Sequence, residues 1–199
     1  NKENYLTALE INSGNVTEDK KGIFQAIKEE YQTTFQNFWI TTSCQTTKDI
    51  TVQANKHKMI TGVSPVIMVD YIQQIKGDDA KTEKQVIDEA VLDLKQLSNE
   101  LKTPVFFIAS LNRAGYKVGD MASFKESGGI EYSAAVAMTL KPTKAGLETI
   151  EAKKTGDAEV LKKPVEVELD IMKNRHYIPN SIKMDFFGSG NTFTEKSIF

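Results

Sequence analysis

The sequence predicts an α/β fold in which a mainly parallel sheet is flanked by helices and ends in an antiparallel hairpin. Two apolar runs, residues 66–69 and 105–110, are typical of strands buried on both faces under helices. The segment between them repeats apolar residues at the spacing of a helix. Strand, helix and strand in this order form a right-handed βαβ unit, so we expect the two strands to be parallel.

The chain before these strands shows helical and extended patterns. Thr17, followed by Glu18 and Asp19, predicts the start of a helix, because acids complement the positive end of the helix dipole. The aromatic and β-branched residues at 38–42 predict a short strand. Residues 50–60 predict a second helix that leads into the first buried strand.

The helix between the two strands has clear boundary signals. Thr82 and Gln85 have the form of a capping box. The helix should end near Lys102, because the residue before Pro104 disfavours the helical conformation. Its apolar positions are the predicted core residues Ile87, Ala90, Val91, Leu94, Leu97 and Leu101.

The remaining chain contains loops, a polar insertion and a hairpin. Residues 112–127 are loop-like, and a further apolar run covers residues 134–140. Residues 141–163 are rich in Lys and Glu, which predicts an exposed and partly disordered excursion. Residues 165–172 and 182–187 predict an antiparallel hairpin.

Composition limits the possible classes of function. The chain has 199 residues, 40% of them hydrophobic, which suits one medium domain. The lone Cys44 excludes an internal disulfide, and His57 and His176 are too few for a structural zinc site. No apolar stretch reaches the ~18 residues that span a bilayer, so we expect no membrane contact. The lone cysteine fits the reducing cytoplasm. With 25 basic and 27 acidic residues, any contact with nucleic acid must come from local patches.

Asp70 directly follows the first buried strand. Open α/β sheets bind ligands at the carboxyl ends of their strands, and in P-loop nucleotidases an acid there holds Mg²⁺, directly or through water. The alternative is that Asp70 caps the next turn. A phosphate loop of the form G-x-x-x-x-G-K-[ST] is absent, because no glycine is followed by lysine. Asp70 without such a loop cannot support ATP hydrolysis.

Five segments in matching order resemble landmarks of the ATPase domain of DnaB-type replicative helicases, which has the RecA-like fold of P-loop ATPases. The segments are INSGNVTE (11–18), VIMVDYIQQI (66–75), PVFFIASLNR (104–113), KESGGIE (125–131) and IMKNR (171–175). The resemblance implies that residues 1–199 form a single partial domain lacking the Walker A half. The strand with the family's catalytic glutamate would also be missing, because the surroundings of Glu10 do not match that motif.

The resemblance implies roles for four residues near the nucleotide. Asp70 would be the carboxylate associated with Mg²⁺. Ser110 stands where the family has a glutamine that senses the γ-phosphate; serine is too short to do so without a water, and a plain strand-end serine is the alternative. Lys173 and Arg175, on one face of a strand, would reach the ATP of a neighbouring subunit as an arginine finger. The alternative for this pair is a solvated strand face.

The resemblance also implies four residues that approach single-stranded DNA: Arg113, Lys125, Glu126 and Gly128. Lys125 replaces the family's arginine, which keeps the charge and loses the bidentate fork. Arg113 could instead be a salt-bridged surface residue, and the segment around Gly128 could be a helix start capped by Ser127.

The implied function is a hexameric helicase that unwinds duplex DNA by translocating on single-stranded DNA, with ATP and Mg²⁺ as cofactors. We expect the chain by itself neither to bind ATP tightly nor to hydrolyse it. One alternative is a RecA- or RadA-like recombinase ATPase, which shares the core. Another is a non-catalytic DNA-binding or interaction module, favoured by the altered positions Ser110 and Ala135, where the family has glutamine and aspartate.

Overall fold

The computed structural model describes residues 6–110 and 132–196 of the chain. Single 3-10 turns at Glu18–Lys20 and Ile72–Gln74 supplement the regular elements. The helices and strands, in chain order, are α1 (Ala8–Ser13), α2 (Lys21–Thr34), α3 (Thr47–Thr61), β1 (Ile67–Val69), α4 (Glu83–Leu101), β2 (Val105–Phe107), β3 (Val136–Pro142), α5 (Lys144–Lys153), α6 (Ala158–Lys162), β4 (Val165–Asn174), β5 (Ser181–Phe187) and β6 (Thr192–Glu195). No helix in these ranges is long and apolar enough to cross a membrane.

The chain divides into two compact units. The first contains residues 1–40, 140–170 and 180–199, and the second contains residues 41–139 and 171–179.

The second unit contains the predicted βαβ arrangement. β1 and β2 pair in parallel, with Ile67 opposite Val105 and Val69 opposite Phe107. α4 connects them and begins with the predicted capping box, in which the Thr82 hydroxyl accepts the N–H of Gln85. The parallel strand pair and its connecting helix are therefore confirmed.

The apolar stripe of α4 forms the core of this unit. All six predicted core residues are buried, each 9% exposed or less. Four of them pack with Ile72 against the inner face of the strands, and Leu97 and Leu101 pack against Ala54 of α3. The strand side chains at the first cluster are Val69, Val105 and Phe107.

The opposite face of the parallel pair is open in the part of the chain that the structure describes. Four apolar side chains on or beside the strands are 50–72% exposed: Val66, Met68, Phe106 and Ile108. The prediction that both faces of these strands are buried is therefore wrong for the described residues. Alternate side chains of a strand point to opposite faces, and α4 covers only the face that carries Ile67 and Val69.

A second sheet has the strand order β3-β4-β5-β6. β4 and β5 are antiparallel, with Val165 opposite Phe186 and Asp170 opposite Ser181, which confirms the predicted hairpin. β6 extends it in antiparallel orientation and was not predicted. Of the three described strand pairs with an assigned register, only β1 with β2 is parallel.

The predicted strand at residues 38–42 is wrong. These residues have no regular secondary structure, and Trp39 and Ile40 are 78% and 79% exposed. Residues with a high propensity for strands form one only where a neighbouring strand provides hydrogen bonds and a packing surface.

The polar insertion at residues 141–163 is mostly exposed, as predicted, but it forms α5 and α6 rather than a disordered segment. The Thr143 hydroxyl caps α5 by accepting the N–H of Gly146. It also donates to the Glu166 carboxylate at 2.6 Å, which joins the insertion to β4. Gly146 is required here, because a Cβ at this position would overlap the carbonyl oxygen of Glu166.

We expect Leu94→Ala to lower the free energy of unfolding by about 2–5 kcal/mol, because it leaves a cavity in the core. Leu94 is 1% exposed, whereas Leu92 on the same helix is 55% exposed. Leu92→Ala is the matched control and should change stability by no more than about 0.5 kcal/mol. Denaturant unfolding followed by circular dichroism measures both, and equal effects would contradict the described core.

We expect Gly146→Ala to destabilise the protein by about 1–3 kcal/mol through overpacking against β4. Gly22 in α2 is the control, because a Cβ there has no heavy atom within 4 Å. Gly22→Ala should be neutral or stabilising by up to about 1 kcal/mol, since alanine favours the helix. The same unfolding measurement compares the two, and a neutral Gly146→Ala would show that α5 is not held this closely.

Candidate functional site

Asp70 lies at the edge where the two parallel strands end. It follows β1 directly, is exposed, and is joined to Tyr71 by a cis peptide bond. The chain after it returns to the strand pair: the Ile72 N–H donates to the Ile108 carbonyl at 2.8 Å, and the Ile108 N–H donates to the Val69 carbonyl at 3.0 Å. These bonds fix the backbone on both sides of the acid.

The Asp70 carboxylate has no hydrogen bond or ion pair within the described ranges. The 3-10 turn that follows has no side-chain cap, so the alternative role of Asp70 as a turn cap is wrong. An exposed carboxylate at the carboxyl end of parallel strands is the arrangement that α/β proteins use to bind ligands.

Ser110 lies at the same edge, three residues after the end of β2, and is also exposed. A side chain from the Asp70 turn holds it there. The Gln73 amide nitrogen donates to the Ser110 carbonyl at 3.1 Å, and the Ser110 N–H donates to the Gln73 carboxamide oxygen at 3.2 Å. No local sequence pattern indicates this connection, because the two residues lie 37 positions apart.

Lys173 is the second-last residue of strand β4, and Arg175 lies one residue beyond the strand's end at Asn174. The Arg175 guanidinium donates to the Tyr132 carbonyl at 2.7 Å, and the Lys173 ammonium lies 3.5 Å from the same oxygen. The Arg175 N–H also donates to the Ala135 carbonyl at 3.0 Å. The two cations therefore converge on one backbone carbonyl, and Arg175 remains exposed.

Glu10 has a structural role that fits its mismatch with the catalytic motif. Its carboxylate accepts hydrogen bonds from the Lys20 ammonium at 2.9 Å and from the Thr7 N–H at 2.8 Å. The hydrogen bond from Lys20, followed by those from Thr7, lowers the pKa of Glu10 to about 2. Both oxygens are engaged in capping α1 and pairing with Lys20.

The four predicted DNA-contacting residues, Arg113, Lys125, Glu126 and Gly128, lie outside the described residues, as does Ser127.

The candidate metal ligand is one carboxylate rather than a cluster. Residues 6–110 and 132–196 contain no group of three or more His, Cys, Asp or Glu that could hold a metal ion. Magnesium at nucleotide sites commonly takes one or two protein carboxylates and fills its other positions with phosphate and water oxygens. The exposed carboxylate of Asp70, which has no partner among the described residues, fits that mode of binding.

Comparisons with known proteins agree on one family. The family model for the DnaB-like helicase C-terminal domain matches residues 2–195. A comparison with curated proteins finds no match.

Two solved structures have the same RecA-like fold. One is described as a DnaB-like replicative helicase and its interactions with primase; it aligns with a TM-score of 0.71 and 20% identity over 96% of this chain and 46% of that chain. The other is described as an ATPase domain, with a TM-score of 0.74 and 19% identity over 98% of this chain and 67% of that one. The chain thus spans less than half of the first structure. Because the family model extends over almost every residue, the chain belongs to the DnaB-like helicase C-terminal domain family.

Proposed function

We propose that this chain is part of an ATP-dependent replicative DNA helicase, which unwinds duplex DNA by translocating on single-stranded DNA. The observation that carries the proposal is the position of Asp70: an exposed acid without a protein partner in the described ranges, at the ligand-binding edge of a parallel strand pair. Family membership supplies the reaction class.

In this proposal Asp70 would hold Mg²⁺, and the bound metal would supply positive charge that stabilises the transferring phosphoryl group of ATP. Lys173 and Arg175 act from the adjacent subunit of a homohexamer. Their fixed positive charge would meet negative charge that develops in the transition state. Ser110 would contact the γ-phosphate only through a water, because its side chain is shorter than that of the glutamine found at this position in the family.

The DNA contacts in this proposal come from Arg113, Lys125, Glu126 and Gly128. Lysine and arginine contacts to phosphates carry no sequence information, as translocation along any sequence requires. The proposed site of action is the cytoplasm, where replication takes place in bacteria.

We further propose that the isolated chain is inactive, because the phosphate-binding part of the domain must come from other sequence. The open face of β1 and β2 among the described residues supports this, since parallel sheets occur almost only with both faces covered. Burying each large side chain there would contribute about 1.5–3 kcal/mol. A missing half that covers this face would complete both the sheet and the nucleotide site.

A RecA- or RadA-like recombinase is the less favoured reading, because the family model names the helicase domain. A non-catalytic DNA-binding or interaction module keeps its two supporting observations, the serine at position 110 and the alanine at position 135. A gel shift with single-stranded DNA, with and without nucleotide, separates the nucleotide-dependent motor from the non-catalytic module. DNA binding of equal strength in both conditions favours the module.

We expect the isolated chain to show no magnesium-dependent ATP turnover. In the full-length gene product, Asp70→Ala should lower turnover by at least about 100-fold, because losing the metal contact removes several kcal/mol of transition-state stabilisation. Asp79→Ala is the control, since Asp79 is an exposed acid on the following loop. Turnover by the isolated chain that Asp70→Ala abolishes would overturn the proposed inactivity.

We expect Arg175→Ala to slow ATP turnover by the full-length protein about 10³–10⁵-fold, as loss of an arginine finger does. Lys95→Ala, an exposed lysine on α4, should have no effect. Mixing Arg175→Ala subunits with Asp70→Ala subunits should restore part of the activity, because some interfaces then have an intact acid opposite an intact arginine. Mixed oligomers that form without any recovery would show that Arg175 acts only within its own subunit, through Tyr132.

A further inference from the structure

Gln73 makes the one side-chain hydrogen-bonded connection in the described ranges between the turn after Asp70 and the end of the neighbouring strand at Ser110. Its carboxamide gives and receives a hydrogen bond with the two backbone groups of Ser110, at 3.1 and 3.2 Å. Gln73 is half-buried, whereas the next residue, Gln74, is exposed and bonds within the turn to the Tyr71 hydroxyl at 2.8 Å.

The carboxamide extends the parallel ladder beyond the strands. Backbone bonds join β1 and β2 as far as Ile108, whose carbonyl accepts the Ile72 N–H. The Gln73 side chain then takes the place of a backbone amide and holds the chain further along, at Ser110. This requires a donor and an acceptor on one planar group, which glutamine has and glutamate or leucine lacks.

We propose that Gln73 is a positioning residue that fixes the Asp70 carboxylate relative to Ser110 at the nucleotide site. It acts through these two residues and does not contact the nucleotide. The proposal rests on the proposed function, because Asp70 must hold Mg²⁺ for its position to matter. Without the Gln73 bonds, the described hydrogen bonds between the Asp70 turn and the strand end are the backbone bonds at Ile72 and Ile108, beside the apolar packing of Ile72.

The test measures how much Mg²⁺ strengthens binding of a fluorescent, non-hydrolysable ATP analogue to the full-length protein. We expect Gln73→Leu to reduce this magnesium-dependent gain by at least about fivefold, the amount that one net hydrogen bond contributes. Binding without Mg²⁺ should stay within about twofold of the wild type, because in the proposal Asp70 contributes to binding only when Mg²⁺ is present. A general structural defect would weaken both. Gln74→Leu is the matched control and should leave the gain unchanged.

Gln73→Glu is a second variant in case Gln73→Leu does not fold. It keeps the size and the acceptor but loses the donor to the Ser110 carbonyl, so we expect the gain to fall here too. The proposal would be overturned if Gln73→Leu and Gln73→Glu both fold and both keep the wild-type magnesium-dependent increase in binding of the ATP analogue.

Asp70→Ala separates this proposal from the proposed function. If Asp70→Ala keeps the full magnesium-dependent gain, the assignment of Asp70 fails, and the positioning role fails with it. If Asp70→Ala loses the gain while the Gln73 variants keep it, only the role of Gln73 is overturned.

Discussion

The parallel pairing of β1 and β2 over the apolar stripe of α4 is the constraint on which the candidate site depends. Parallel strands end at the same edge, so this pairing brings Asp70 and Ser110 to one edge from distant positions in the sequence. The buried side chains of α4 fix the strands from one side, and Ile72 anchors the turn after Asp70 in the same core. Apolar packing of the residues on either side of Asp70 holds the backbone in place, so the acid itself needs no buried contact and stays exposed.

The two faces of the β1–β2 pair differ in how much of their apolar surface is buried. One face contributes to a well-formed core, while the other exposes Met68 and Phe106 to solvent in the described part of the chain. Exposed apolar patches of this kind are typical of surfaces that contact another layer of protein. In the proposed function, the layer that covers this face also supplies the phosphate-binding groups near Asp70.

The acid and the cations are held by different means. Asp70 is positioned through backbone bonds and the Gln73 carboxamide, whereas Arg175 is held by its own guanidinium on the Tyr132 carbonyl. A guanidinium carries several N–H donors in a fixed fork, so a single anchoring bond sets its direction without using up its capacity for other acceptors. The remaining donors stay available for a further acceptor, as the proposed role of Arg175 at a neighbouring nucleotide requires.

The sequence by itself determined the elements whose signals are local: the capped helix α4 with its six buried positions, the parallel strand pair and the β4–β5 hairpin. Periodicity, capping residues and chain connectivity are sufficient for these. The tertiary structure decided the rest. Residues 38–42 form no strand because β-propensity needs a neighbouring strand, and the polar insertion folds because Thr143 and Gly146 meet β4. The bond between Gln73 and Ser110 likewise depends on two distant segments being brought side by side, which no local pattern encodes.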